Sequence, residues 1–328
     1  MRILITGGAG FIGSHLAEYL LANNHPVDIL DDLSTGRLQN LAHLRASPLL
    51  NVVTGSITDE PLLDRLIAAC DLVYHLAAAV GVKLVVEAPV RTIETNVMGT
   101  AAVLRVANRH QRKVLLASTS EVYGKSDRLP LAEDGDRILG PTAVTRWCYS
   151  ESKALDEVLA LAYAREHRLP VVIVRLFNTI GPRQSGRYGM VVPRLVAQAL
   201  AGEPLTVYGD GTQTRCFADV RDIVRGMAAL ATSPQAEGQV FNLGSNREIA
   251  INDLARLVIA VTASRSTVVH VPFDRVYGPG FEEAHRRVPD VSRVRALVGW
   301  EATTPLEDTV RSVAQEQSRT ALPPGGAG

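Results

Sequence analysis

Residues 2–6, Arg-Ile-Leu-Ile-Thr, form a short apolar run without polar alternation, the pattern of a parallel strand covered on both faces. Residues 14–23 then predict a helix and 27–30 the next strand. Strand and helix go on alternating: a strand over Leu50–Thr54, a helix over Glu60–Ala69, and a strand from 71 to 78 that ends in small residues. A long helix is expected over 89–110, carrying Asn96, then a strand over 113–118, a helix around Tyr149 and a strand over 170–175. Short apolar runs separated by helical stretches predict an α/β fold with a parallel sheet.

Past Asn178 the pattern loosens. Residues 179–189 are rich in Gly, Pro and Arg and read as a binding loop. A helix is expected over 191–201, a strand over Leu205–Tyr208 and a turn at Gly209-Asp210-Gly211. Further helices are expected over 222–231, 252–261 (with Asn252 as N-cap), 291–298 and 305–315, with a strand over Gln239–Leu243. Residues 278–290 read as a charged loop and the Pro- and Gly-rich end as a disordered tail.

Composition narrows the class. Lys+Arg and Asp+Glu number 34 each among 328 residues, so bulk charge points to neither nucleic acid nor a membrane surface. No apolar run of about 18 residues predicts a membrane span, and no signal-peptide pattern opens the chain. Cys70, Cys148 and Cys216 are odd in number and lack metal-ligand spacing, which fits a reducing cytoplasm and no metal. Cys148, with no histidine partner in view, reads as packing and His75 as a packed strand residue.

Two motifs carry chemistry. Gly7-Gly8-Ala9-Gly10-Phe11-Ile12-Gly13 lies between the first strand and first helix, where a tight turn lets the backbone approach a pyrophosphate at the helix N-terminus. The second strand ends at Asp31-Asp32, about 20 positions on, where a ribose diol is held. An acid there favours NAD over NADP, although Arg37 pulls the other way. The second motif is Tyr149-x-x-x-Lys153. Residues i and i+4 share a helix face, and an ammonium beside a phenol favours the phenolate, giving a proton acceptor for an alcohol. Ser118-Thr119-Ser120-Glu121, at a strand's carboxyl end, adds hydroxyls and a carboxylate. Arginines between 183 and 287 fit either solvated surface or a diphosphate site.

Together, Gly7-x-x-Gly10-x-x-Gly13, Asp31, Ser118-Thr119 and Tyr149-x-x-x-Lys153 resemble the extended short-chain dehydrogenase/reductase superfamily, in particular its nucleotide-sugar epimerases, dehydratases and decarboxylases. More narrowly, residues 117–124, 175–183, 202–209, 211–217, 286–290 and 297–300 resemble the UDP-glucuronate decarboxylases. The resemblance implies a Rossmann doubly wound parallel sheet over 1–178 and a smaller C-terminal α/β substrate-binding domain over 179–316. It also implies that about 218–245 return to the first domain and that 317–328 form a flexible tail.

By that likeness NAD is the cofactor, held by Gly7, Gly10, Phe11, Ile12, Gly13, Asp31, Asp32, Ser56, Ile57, Leu76, Ala77, Ala78, Asn96, Tyr149 and Lys153. Ser56 stands where the family often has Asp, which modifies the adenine contact. A UDP-sugar would be bound by Asn178, Arg183, Val191, Leu205, Tyr208, Gln213, Arg215 and Arg287. Catalysis would rest on Thr119, Ser120, Glu121, Tyr149, Lys153 and Arg287, with Lys153 lowering the Tyr149 pKa. Ser120 replaces the acid that a 4,6-dehydratase uses, which disfavours dehydration. The Ser120-Glu121 pair with Arg287 matches decarboxylases. A UDP-sugar 4-epimerase, in which Arg183 or Arg287 holds a carboxylate without releasing it, and a non-catalytic NAD-binding regulator are the alternatives. Such relatives pair as homodimers through a four-helix bundle, here residues 89–110 and 149–166.

Overall fold

A computed structural model describes residues 1–186, 190–277 and 284–321. The first half runs β1 (Ile3–Thr6), α1 (Phe11–Ala22), β2 (Val27–Asp31), β3 (Leu50–Thr54), α2 (Glu60–Ala69), β4 (Leu72–His75), α3 (Val82–Glu87), α4 (Pro89–Ile93), α5 (Gly99–His110), β5 (Lys113–Thr119), α6 (Trp147–His167) and β6 (Val171–Leu176). The second half runs β7 (Thr179–Ile180), α7 (Val191–Leu200), β8 (Leu205–Tyr208), β9 (Thr214–Cys216), β10 (Ala218–Asp219), α8 (Val220–Thr232), β11 (Gln239–Leu243), β12 (Glu248–Ala250), α9 (Ile251–Thr262), β13 (Val268–Val271), α10 (Phe273–Tyr277), α11 (Ser292–Val298) and α12 (Leu306–Ala321).

Seven strands form one sheet in the order β11-β6-β5-β4-β1-β2-β3, every pair parallel. β1 and β4 are wholly buried because helices cover both faces, which is why their sequences do not alternate. On one face α1, α8 and α11 close a core that includes Leu16, Met227 and Val294. On the other, α2, α5 and α6 pack through Leu63, Val103 and Ala160. Strand order reverses between β1 and β4, and such switch points open a crevice at the carboxyl ends of the strands. A separate core joins α7, α9 and α12 to β8, with Leu195, Leu254 and Val313 at its centre.

Several sequence expectations change. Residues 89–110 are not one α-helix: α4 passes through a π segment, Glu94–Met98, before α5 begins. The wider π turn coincides with buried Asn96, which accepts from the Ala79 amide at 2.8 Å and donates to Ser152 Oγ at 3.1 Å. Asn252 is not an N-cap; it lies inside α9, donating to the Asp210 carbonyl and hydrogen-bonding His270. β9, β12 and β13 were not expected, because they are three- or four-residue strands of mostly partial burial whose partners lie far along the chain. α12 continues to Ala321, into the stretch expected to be tail. The rest of that tail, and parts of the loops expected over 179–189 and 278–290, lie outside the described residues. Among the described residues no helix is long and apolar enough to cross a membrane.

Candidate active site

A cleft of about 2020 Å³ reaches from the glycine turn after β1, past the ends of β4 and β5, to α7 and β8. At its first end Gly7 adopts φ +72°, and a Cβ there would lie 2.8 Å from the Ala77 amide nitrogen. A Cβ on Gly13 would strike the Gly7 carbonyl and lie 2.7 Å from Gly8 Cα. These positions require glycine so that turn and helix can close together and leave the α1 N-terminus open to the cleft. The buried Asp31 carboxylate accepts from the amides of Ala9 and Leu33 at 2.9 and 2.8 Å. Gly10, Phe11, Ile12, Asp32, Ser56, Ile57, Leu76, Ala77 and Ala78 also line this end. A dinucleotide fits these residues: a side-chain-free cradle for a pyrophosphate, then an acid for a ribose diol. Asn96 does not line the cleft; it braces Ala79 from behind.

β5 and α6 deliver the reactive groups. Thr119 ends β5 and caps the turn Ser120–Tyr123, accepting from the Glu121 amide at 3.2 Å. Ser150 Oγ donates to the Glu121 carbonyl at 2.7 Å, tying α6 to that turn. Tyr149 hydrogen-bonds Thr119, yet burial and the nearby Glu121 charge push its hydroxyl above the usual range for a phenol. The expected lowering by Lys153 is not seen. The Lys153 ammonium donates instead to Asp156 Oδ2 at 2.8 Å, both groups buried, so its charge is neutralised one helical turn from the phenol. Burial raises the Asp156 carboxyl even so, and its Oδ1 has no hydrogen-bond partner.

Glu121 sits between two guanidinium groups. Arg287 makes a short ion pair with Oε1, and Arg146 donates to Oε2 at 3.3 Å. Burial alone would raise this carboxyl, but the charges of Arg287 and Arg146, with Arg215 behind them, hold it down at about 2. Arg287 reaches this place because the chain on either side of Pro289 clamps onto Leu131. Leu131 N donates to Val288 O at 2.8 Å, and Asp290 N donates to Leu131 O at 2.9 Å.

Of the residues expected to bind a substrate, Asn178, Val191, Tyr208, Gln213 and Arg215 line the cleft with Arg287. Gln213 donates to the Tyr208 carbonyl at 2.8 Å. Leu205 does not line it; its side chain is fully buried in the α7–α9–α12 core. Arg183 lines the cleft but turns away from Glu121 and toward the glycine-turn side. Its guanidinium meets His15 at 2.5 Å and Glu18 at 2.6 Å, and its amide donates to Glu316 at 2.5 Å. Arg91, Arg146, Arg194 and Arg319 also line the cleft and were not singled out from the sequence. Arg146 lies three residues before Tyr149, a spacing that was available as a signal; Arg194 stacks 3.9 Å over Tyr208, a contact with no sequence signal.

The sequence profile described as GDP-mannose 4,6 dehydratase matches residues 4–313. A UDP-N-acetyl-alpha-D-glucosaminuronate decarboxylase of Bacillus cytotoxicus is 43% identical over 96% of this chain and 97% of its own. UDP-glucuronic acid decarboxylase 1 of Danio rerio is 37% identical over 97% of this chain and 73% of its own. The solved UDP-glucuronic acid 4-epimerase from Bacillus cereus, in complex with UDP-glucuronic acid and NAD, superposes with a TM-score of 0.88 at 30% identity, covering 98% of this chain and 100% of its own. Parallel sheet, glycine cradle, Tyr149–Lys153 pair and these likenesses agree: the chain belongs to the GDP-mannose 4,6 dehydratase family, within the nucleotide-sugar branch of the extended short-chain dehydrogenases/reductases.

Proposed function

We propose that this protein is an NAD-dependent decarboxylase of UDP-hexuronates, converting UDP-glucuronate through a 4-keto intermediate to UDP-xylose, UDP-4-keto-pentose or both. The observation that carries this reading is Glu121, held ionised between Arg287 and Arg146 beside Thr119 and Tyr149. The relatives named as uronate decarboxylases point the same way. A 4-epimerase has no chemical need for a carboxylate side chain beside the sugar ring.

NAD, when bound, supplies the hydride acceptor at sugar carbon 4 and the hydride for a final reduction. Gly7, Gly10 and Gly13 would leave room for its pyrophosphate, and Asp31 would accept from its ribose hydroxyls. Tyr149 Oη takes the proton of the carbon 4 hydroxyl as the phenolate, so the phenol proton that burial and Glu121 favour must first be lost to solvent; Thr119 Oγ1 shares the hydrogen bond. A ketone at carbon 4 makes the carbon 6 carboxylate a β-keto acid. The bond between carbons 5 and 6 then breaks, carbon dioxide leaves, and the electron pair moves to the carbon 4 oxygen, where Tyr149 donates its hydrogen bond. Glu121, being ionised, does not itself donate a proton to carbon 5; it orients a hydroxyl or water that does, and Ser120 is the neighbouring hydroxyl.

We divide the chain into an NAD-binding part over 1–178 and a mainly substrate-binding part over 179–316, with 218–245 returning to the first. The pairing of β11 with β6 and the separate core around α7 support this division. We also propose a homodimer through a four-helix bundle. Val90, Ile93 and Met98 on the segment from α4 to α5, with Leu155 and Val158 on α6, are exposed apolar residues on the two helical segments that would form it. All three cysteines are free thiols, two of them buried, and we place the protein in a reducing cytoplasm.

The test is mass spectrometry of products after incubation with NAD and, separately, UDP-glucuronate and UDP-N-acetylglucosaminuronate. Loss of the mass of carbon dioxide is expected. An unchanged mass with a new isomer would make the protein a 4-epimerase instead.

A further inference from the structure

Tyr149, Lys153 and Asp156 stand at i, i+4 and i+7 on α6, one stripe of the helix. Tyr149 and Lys153 line the cleft, whereas Asp156 lies behind them, 1% exposed and outside it. The mechanism above leaves this carboxylate unused. Its Oδ2 accepts from Lys153 Nζ at 2.8 Å, while its Oδ1 is buried without a hydrogen-bond partner. The charged groups around the stripe come from every element packed on it. On α6 itself Glu157 is taken up by Arg175 of β6, at 2.8 Å. From α5, Thr100 faces Asp156, and the Thr100 hydroxyl meets His75 of β4 at 3.1 Å. Burial and the Lys153 charge hold that imidazole at about 3, so it is uncharged at neutral pH. On the cleft side Glu121 follows β5, between Arg287 and Arg146, and Arg91 of α4 and Glu94 of the π segment are exposed. Lys153 is therefore the cation that compensates Asp156. Drawing the ammonium away would strand a buried carboxylate, which is strongly unfavourable.

We propose that Asp156 is a positioning residue for the reaction: by holding the Lys153 ammonium on the interior side of the stripe, it restrains the phenolate form of Tyr149 and sets the pH below which turnover fails. The inference rests on Tyr149 acting as the base, the part of the proposed function that a decarboxylase and a 4-epimerase share. An ammonium favours a neighbouring phenolate through its charge. A carboxylate at hydrogen-bond distance cancels most of that charge as felt by a phenol one turn away. Asp156 also acts on the phenol directly, since burial, Glu121 and Asp156 oppose its ionisation, against the Thr119 hydrogen bond. Both effects have one sign, so removing the Asp156 charge favours the phenolate. The tether also orients Lys153. One of its three N–H donors is fixed on Asp156, which fixes the direction of the others at the cleft wall.

The test is the pH profile of kcat/KM, taken with saturating NAD and with whichever UDP-sugar the wild type converts. Its acid limb reports the base of the NAD-loaded enzyme. Asp156→Asn keeps an oxygen for Lys153 and removes the charge. It should move that limb to lower pH by about one unit, the influence of one charge about two helical turns (~10 Å) away in a partly buried site. At a pH on the wild-type limb the variant should then be faster, by up to about tenfold. Asp156→Glu, which keeps the charge, should stay closer to the wild-type limb than Asn does. A limb in the Asn variant that is unmoved, with activity lost equally at every pH, is what a purely structural Asp156 predicts and would overturn the inference. So would a limb moved to higher pH. If Asp156→Asn does not fold, Asp156→Ser, smaller and uncharged, decides by the same profile. A wild type that isomerises its substrate without losing carbon dioxide would refute the proposed function and leave this comparison intact. One that converts no UDP-sugar at any pH would refute both.

Discussion

Behind the strand end that carries Thr119 lies a buried ion pair whose failure would be felt directly. Arg175 on β6 holds Glu157 on α6 through Nε at 2.9 Å and Nη2 at 2.8 Å, and Ser118 Oγ donates to the same carboxylate at 2.5 Å. The Arg175 guanidinium also lies 4.8 Å over the Tyr123 ring. Removing one charge from a buried pair strands the other, at a cost of about 3–5 kcal/mol. Glu157→Gln should therefore lower the unfolding free energy measured in urea by that amount, whereas a loss below about 1 kcal/mol would mean that the pair is solvated. At this scale the sequence was legible where chemistry is local. Gly7, Gly10, Gly13 and the Tyr149–Lys153 spacing announce themselves through backbone sterics and helical period. Arg183 was not legible: whether a loop arginine meets a sugar or His15 and Glu18 is decided by where the loop returns, not by its neighbours in the chain.

Among the elements, α6 has two tasks on two faces. Inward it presents Tyr149, Lys153 and Glu157; outward it exposes Leu155 and Val158 beside the apolar residues of α4 and the π segment. Two such faces brought together would bury these side chains, each contributing about 1.5–3 kcal/mol when fully covered. Leu155→Lys combined with Val158→Lys should convert a dimer into a monomer in sedimentation. An unchanged sedimentation coefficient for the double variant would remove this helix pair from the interface. The seven sheet strands were readable because each is an apolar run bounded by helix or turn signals. β13 was not, because two of its four residues are exposed and its strand partner, β8, lies more than fifty positions earlier.

For the whole molecule, acid should act through two buried imidazoles. Burial, and the cations Arg183 and Lys153 respectively, hold His15 at about 4 and His75 at about 3. An unfolded imidazole takes up its proton near pH 6.5. Below about 6.5 the unfolded chain binds protons that the fold refuses, so stability falls as pH drops toward 4, with a slope approaching about 2.7 kcal/mol per pH unit for the two together. Glu121 adds to the fall at lower pH: its contribution is complete above the unfolded value of about 4.3 and is lost as pH approaches about 2. Urea midpoints at about pH 7, 6 and 5 should decline steadily between the last two. A flat profile there would mean that these imidazoles are charged inside the fold.

The amino-acid sequence by itself determined the repeating strand–helix order, the glycine cradle with its following acid, and the Tyr149–Lys153 face. Each depends on interactions within about 30 residues, the reach of a βαβ unit. Tertiary structure alone decided the charge state of the centre. It brought Arg287 across 166 positions to Glu121 through the clamp on Leu131, and sent Leu205 into a core and Arg183 to α1. Those outcomes depend on burial and on charges meeting from separate elements, and neither is encoded in local spacing.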